Sequence, residues 1–282
     1  MTQANICKTI FTKLIDGIQC NWSILMYIKG MAFIMGCLFS LAGYAEPIGE
    51  AVWAGYRPVL SLLGGVAGED TTHSQTFNDG LFVYHGLENG TSSFLGGFLG
   101  VEHPFHYQSL FMQLGIEYNY FWDIPIYGLS SVGEPETYTN YTYDYILQTQ
   151  QALAVAKFFT SVELLTIPSH IFYPYVSVGL GVAFNHSSQY NTAPQGTECA
   201  NLPPVFGNNM NVNLSYSVGL GVDTNITQHI RVGLGYQFSH FGRASLHSGE
   251  IVFNNYYFPT NFALNVPNVV ANQFLAQVSY LF

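Results

Sequence analysis

Hydrophobic and polar residues in this chain alternate one for one. The final stretch, NQFLAQVSYLF, puts Phe274, Ala276, Val278, Tyr280 and Phe282 on one side, with Gln273, Leu275, Gln277, Ser279 and Leu281 on the other. Period-two alternation is the mark of a β-strand with two unlike faces. YVSVGLGVAFN repeats it, setting Val176, Val178, Leu180, Val182 and Phe184 against Ser177, Gly179, Gly181, Ala183 and Asn185. NVNLSYSVGLGVD sets Val212 through Val222 against Asn213 through Asp223. IRVGLGYQFS sets Ile230, Val232, Leu234, Tyr236 and Phe238 against Arg231, Gly233, Gly235, Gln237 and Ser239. FMQLGIEYNY follows the same rule with Met112 to Tyr120 against Gln113, Gly115, Glu117 and Asn119.

The two faces differ in size as well as polarity. In these rows the large face carries no charge, and the other is built from Gly, Ser, Ala, Asn and Gln with an occasional ion. A soluble barrel turned that way would present water with a glycine-serine surface, which is poor design. With lipid on the large face and the small residues inside a narrow lumen, the pattern makes sense. Similar stretches predict eight strands, near 58–67, 93–103, 109–121, 146–160, 171–185, 211–223, 229–241 and 270–282. Long links follow the odd strands and short turns the even ones, TNITQ being the clearest turn. The expected fold is all-β: an eight-stranded antiparallel up-and-down transmembrane β-barrel, with long loops outside and turns in the periplasm.

The fourth strand, LQTQQALAVAKFF, is expected to turn Leu153, Val155 and Lys157 outward and Ala152, Ala154 and Ala156 inward. Lys157 then snorkels at the lower interface, and Thr149 and Gln151 lie near or above the upper edge. Aromatic girdles are expected from Tyr118, Tyr120, Phe121, Trp122, Tyr143 and Tyr145 above, and from Phe158, Phe159, Phe172 and Phe282 below.

Composition agrees. Charged residues are 9% of the chain, against about 25% ordinarily, and aromatics reach 16%. After residue 45 there is no run like the roughly 20 apolar residues of a membrane helix. Residues 1–45 form a separate N-terminal extension and signal peptide. Lys29 precedes an apolar run from Met31 to Ala42, and Gly43-Tyr44-Ala45 offers small residues for cleavage. Met26 is a better-placed start for that signal than Met1. Cys37 follows Ile34-Met35-Gly36, a poor lipidation site, and Cys199 is the lone cysteine beyond the leader, so no internal disulfide forms. The barrel domain is 46–282. Its four cations, Arg57, Lys157, Arg231 and Arg243, face sixteen carboxylates, a formal charge of −12. That balance excludes nucleic-acid binding by phosphate neutralisation.

The repeated SVGLGV strands, GLGYQFSHFG and the aromatic-terminated QVSYLF resemble the small eight-stranded bacterial outer-membrane β-barrels, the group of the OmpA membrane domain, OmpX and the opacity proteins. The resemblance covers 58–282. It implies residence in the outer membrane, contact with its lipid and lipopolysaccharide, and recognition of the C-terminal strand ending at Phe282 by the barrel assembly machinery.

Chemistry is sparse. Arg231 and Asp223 point inward beside the turn near residue 227 and are expected to pair across the strands, with Glu102 and Glu117 joining them; eight strands leave room only for side chains. His73 and His85 (first outer loop), His186 (third), and His240 and His247 (fourth) show no metal-ligand spacing. FSHFGRASLHSGE collects His240, Ser245, His247, Ser248 and Glu250, a weak match to a Ser-His-Glu hydrolase acting on lipid A. The acids Glu69, Asp70, Asp79, Glu88, Asp123, Glu134, Glu136 and Asp144 read as a solvated surface rather than a site for calcium or magnesium. The Asn-Gly-Thr, Asn-Tyr-Thr and Asn-His-Ser sequons carry no meaning in this setting. No catalytic, cofactor or metal residue is therefore assigned. The expected role is structural or surface interaction through the loops, with an extracellular ligand there. A narrow porin-like conduit is the alternative, and a lipid-modifying enzyme comes third.

Overall fold

The computed structural model describes residues 55–70, 73–86, 90–105, 110–134, 139–163, 171–195, 202–253 and 256–282. The expected leader, the cleavage point, Glu88, Glu136 and Cys199 lie outside these. Eight long strands stand where the alternation places them: β1 (Arg57–Asp70), β2 (Gly90–Pro104), β3 (Leu110–Phe121), β4 (Thr139–Thr160), β5 (Ile171–Pro194), β6 (Asn209–Asn225), β7 (Ile230–Ser245) and β8 (Asn265–Leu281). Each pairs antiparallel with the next in the chain. β8 returns to β1, from Leu281 opposite Val59 to Val270 opposite Asp70. The ring has no free edge. Its last backbone bond joins the Phe282 N–H to the Pro58 carbonyl at 3.1 Å.

The large face looks outward. Val178, Leu220 and Leu234 are 51%, 59% and 66% exposed, and Phe274, Val278 and Phe282 share that side of β8. The small face makes the lumen possible. The Tyr175 hydroxyl lies 2.6 Å from where a Cβ on Gly221 would sit, so the ring occupies space that only glycine leaves free.

β4 reverses the expected orientation. Gln151, Leu153, Val155, Lys157 and Phe159 face inward and are buried, while Ala154 and Phe158 are exposed. Size cannot orient this strand, because alanines on one face oppose one leucine and one valine on the other. Charge does: Lys157 lies at bilayer depth and finds carboxylate inside. Thr149 and Gln151 are fully buried in the lumen rather than at the upper edge, and Phe121, Tyr143, Tyr145 and Phe159 are buried inward, not in the girdles. Tyr118, Trp122, Phe158 and Phe282 do lie on the exposed surface.

On the loop side the links are folded. β4 and β5 have 22 and 24 residues, where a spanning strand needs about 9–11, and they stay paired up to Tyr141 opposite Pro194. Ile124–Val132 pairs with upper β4, Phe82–Gly86 with Ile124–Val132, and Ser74–Phe77 with Phe82–Gly86. A three-stranded sheet of Val205–Phe206, Gly249–Phe253 and Tyr256–Pro259 packs beside them. Phe206 contacts Tyr84 at 5.8 Å and Tyr190 at 5.0 Å, and Phe262 stacks on Phe77 at 4.3 Å. Here large residues point in, as in a soluble protein, and they form a core for an extramembrane crown.

Leu220→Arg tests the belt. In lipid it is expected to cost about 2–4 kcal/mol in urea unfolding from bilayers, where an exposed site in water would change stability by under about 0.5 kcal/mol.

Candidate functional site

The lumen collects the ionisable residues that the strands cannot show to lipid. At the lower end, Arg231 on β7 meets Glu102 on β2, Nη1 to Oε2, at 2.8 Å. Gln113 donates to the same oxygen at 2.8 Å, and Arg231 Nε donates to Asn225 at 3.0 Å. The guanidinium lies 5.0, 5.4 and 4.9 Å from the rings of Phe111, Phe159 and Tyr173, a cation–π setting. One step higher, Lys157 on β4 reaches Glu117 at 3.8 Å and donates to Gln277 on β8 at 3.2 Å. Gln277 donates in turn to both Asp223 oxygens, at 2.7 and 2.8 Å. Above them Gln151 donates to Ser215 at 2.7 Å, and Gln273 to Ser239 at 2.8 Å. At the top Phe121 packs between Phe94 and Phe241, at 5.3 and 4.9 Å.

Three of these contacts join strands on opposite sides of the ring. Arg231 and Phe111 connect β7 to β3 low down, Lys157 and Gln277 connect β4 to β8 in the middle, and Phe121 and Phe241 connect β3 to β7 above. Side chains therefore cross the full width of the barrel at three heights.

The expected inward network of Arg231, Asp223, Glu102 and Glu117 is present, with its pairing corrected. Arg231 takes Glu102 rather than Asp223, because the register sets Asp223 opposite Gly233 and Arg231 opposite Asn225. Lys157, Gln113 and Gln277 were missed. The shared parity of Gln151 and Lys157 in LQTQQALAVAKFF is the signal that finds the first, since two polar residues four or more positions apart on one face mark the lumen.

The histidines do not converge. His85 bonds Ser74 at 2.9 Å, His240 stacks outward on Tyr216 at 5.0 Å, and His247 sits beside Ser248 at 3.0 Å. Among the described residues no three His, Cys, Asp or Glu groups gather as metal ligands, and Glu69, expected on the solvated surface, is instead buried, with Ser92 donating to it at 3.3 Å. Ser245 is buried on Asn209 and Asn211, at 2.9 and 3.0 Å, away from any imidazole. Of the Ser-His-Glu grouping, the described residues show the His247–Ser248 bond between chain neighbours, and Ser245 is turned to the asparagines.

The crown core holds a cluster of phenols. Tyr143 and Tyr190 stack at 6.0 Å, and Tyr84 meets Tyr143 edge-on at 5.7 Å. Burial pushes the Tyr143 phenol up to about 12. It raises Tyr84, Tyr145 and Tyr190 too, and neighbouring phenols add to the effect.

A closed antiparallel ring with an apolar exterior and a polar interior defines an integral membrane β-barrel. No protein-family model matches the chain, and no curated protein matches its sequence. Among solved structures, the barrel is similar to Neisserial surface protein A (TM-score 0.37, 12% identity, covering 80% of this chain and 97% of that one). It is similar also to the outer membrane protein OprG of Pseudomonas aeruginosa (0.35, 11%, 81% and 97%), and to Ail, the attachment invasion locus protein of Yersinia pestis (0.30, 11%, 81% and 99%).

Two predictions follow from this geometry. Arg231→Met, which strands Glu102, is expected to lower barrel stability by about 3–5 kcal/mol, and adding Glu102→Gln should recover most of it; urea titration read by gel mobility measures both. A free phenol ionises near pH 10, but those in the crown are held neutral by burial. Unfolding is thus favoured as pH rises past about 10, so crown stability is full below that point and falls above it. Limited proteolysis at pH 8 and pH 11 should cut the crown only at the higher value, and Tyr143→Phe with Tyr190→Phe should reduce the difference.

Proposed function

We propose that this chain is a surface-interaction protein, in which the barrel is an anchor and the crown meets an extracellular partner. The observation that carries this reading is the set of three contacts across the lumen, which leaves the interior occupied by its own side chains. The investment of sequence supports it as well. Upper β4 and β5, together with residues 74–86, 124–132, 205–206, 249–253 and 256–264, build a body with its own core above the membrane. Exposed on it are Tyr256, Tyr257 and Phe258, at 70%, 66% and 54%. Consecutive exposed aromatics on a folded support are the kind of surface that binds, because rigid rings supply contact area at small entropic cost.

The experiment has two arms. Cells displaying the full chain are expected to bind a target surface that cells displaying Tyr256→Ser, Tyr257→Ser and Phe258→Ser combined do not, while both barrels keep their heat-modifiable migration on a gel. In planar bilayers the purified wild type is expected to pass no discrete current, whereas Phe121→Ala, Phe241→Ala and Lys157→Ala combined should conduct. Reproducible steps from the wild type would replace this reading with a narrow porin-like conduit for small solutes.

A further inference from the structure

Arg243 stands apart from the other cations. Lys157 and Arg231 are buried in the lumen, and Arg57 lies at the opposite end of the barrel, so among the described residues Arg243 is the single exposed Lys or Arg on the loop side of an acidic molecule. Its backbone is specially shaped. Gly242 has φ +77°, a Cβ there would meet Asn213 at 2.5 Å, and the β7–β8 register shifts on both sides of it. The Arg243 carbonyl accepts bonds from the Asn213 and Asn185 side chains at 2.8 and 3.0 Å. This bulge buries Phe241 and Ala244 while sending Arg243 out.

The guanidinium is held but not neutralised. Nε and Nη2 both donate to Asn265 Oδ1, at 3.2 and 2.5 Å. Asn265 is itself fixed, since its N–H donates to Gln75 at 3.1 Å, its carbonyl accepts from Gln75, and its amide donates to Ala263 at 3.1 Å. The ion pairs of the described residues are Lys157–Glu117 and Arg231–Glu102, and neither involves Arg243. Beside it opens a cleft of about 430 Å³, lined by His73, Gln75, Thr76, Phe77, Arg243, Asn265 and Pro267. Arg243 lies three residues past His240, whose ring stacks on Tyr216 at the top of the belt. At about 3.3 Å per residue, that sets the cleft at headgroup height.

We propose that this cleft is an anion site for a phosphate group. A planar guanidinium with fixed orientation and open donors matches phosphate oxygens, and His73 brings a further polar group to the lining. The phosphate belongs either to an outer-leaflet glycolipid or to a free phosphate ion, and the test separates the two.

The folded barrel in zwitterionic detergent is titrated calorimetrically with bis-phosphorylated lipid A, with the same lipid dephosphorylated, and with inorganic phosphate. Wild type is expected to bind the phosphorylated lipid, and Arg243→Gln to weaken it about tenfold, the scale of one charge-assisted contact. Arg243→Lys should weaken it less, and removal of the lipid phosphates should mimic Arg243→Gln. Thr76→Glu, which puts a carboxylate at the cleft without touching the bulge, should abolish binding even if Arg243→Gln folds poorly. Binding of inorganic phosphate in place of the lipid, with the same dependence on Arg243, supports the site and assigns it to a soluble anion. Equal affinity of wild type, Arg243→Gln and Thr76→Glu, or no binding of any probe by wild type, overturns the proposal.

Discussion

Hydrocarbon offers a peptide group no hydrogen-bond partner, and each unmet N–H or C=O there costs several kcal/mol. A strand can enter a membrane only if both of its edges are paired. In this chain that condition is met when β8 lies against β1 from Leu281 and Val59 to Val270 and Asp70. Closure then dictates the rest. Eight strands fix a narrow interior, which explains why glycine and serine line it and why bulk goes to the lipid side.

The same closure makes the lumen the one place within the membrane for a charge. Arg231, Lys157, Glu102, Glu117 and Asp223 are all nearly fully buried. Groups so buried must be paired or hydrogen-bonded, as Arg231 is with Glu102, Lys157 with Glu117 and Asp223 with Gln277, and those bonds make them selective about position. Sliding a strand by one residue would turn Lys157 to lipid and leave Glu117 alone. The polar network thus guards register more than it adds stability. Above the rim the sign of the hydrophobic rule reverses: Tyr84, Tyr143 and Phe206 point inward because water, not lipid, surrounds the crown.

The barrel was largely legible because its signal is local. Alternation in SVGLGV or QVSYLF reports which solvent each face meets, and all eight strands were found this way. Orientation failed in β4, where Ala152 to Ala156 against Leu153 and Val155 gives too little contrast in size, and the lysine that decides the matter was given a snorkelling role. The pairing of Arg231 was misread for a different reason. Sequence places it on the strand next to Asp223, but the partner across the lumen, Glu102 on β2, depends on tilt and stagger that one chain's spacing does not encode. The crown was hidden for a third reason. Its strands are short, and its core joins segments as far apart as Phe77 and Phe262, a contact no window along the sequence contains. Arg243 was counted only as a charge, since a bulge at Gly242 is what gives it a setting.

The crown's core is interleaved: Phe77 and Tyr84 from the first outer link, Tyr143 from the second, Tyr190 and Phe206 from the third and Phe262 from the fourth interlock in it. No single link can be exchanged, lengthened or deleted without disturbing the other three. Change is thereby channelled to side chains that stand clear of the core, such as the exposed rings of Tyr256 to Phe258. The protein can vary its face only by repainting the tip, while the supporting body stays the same.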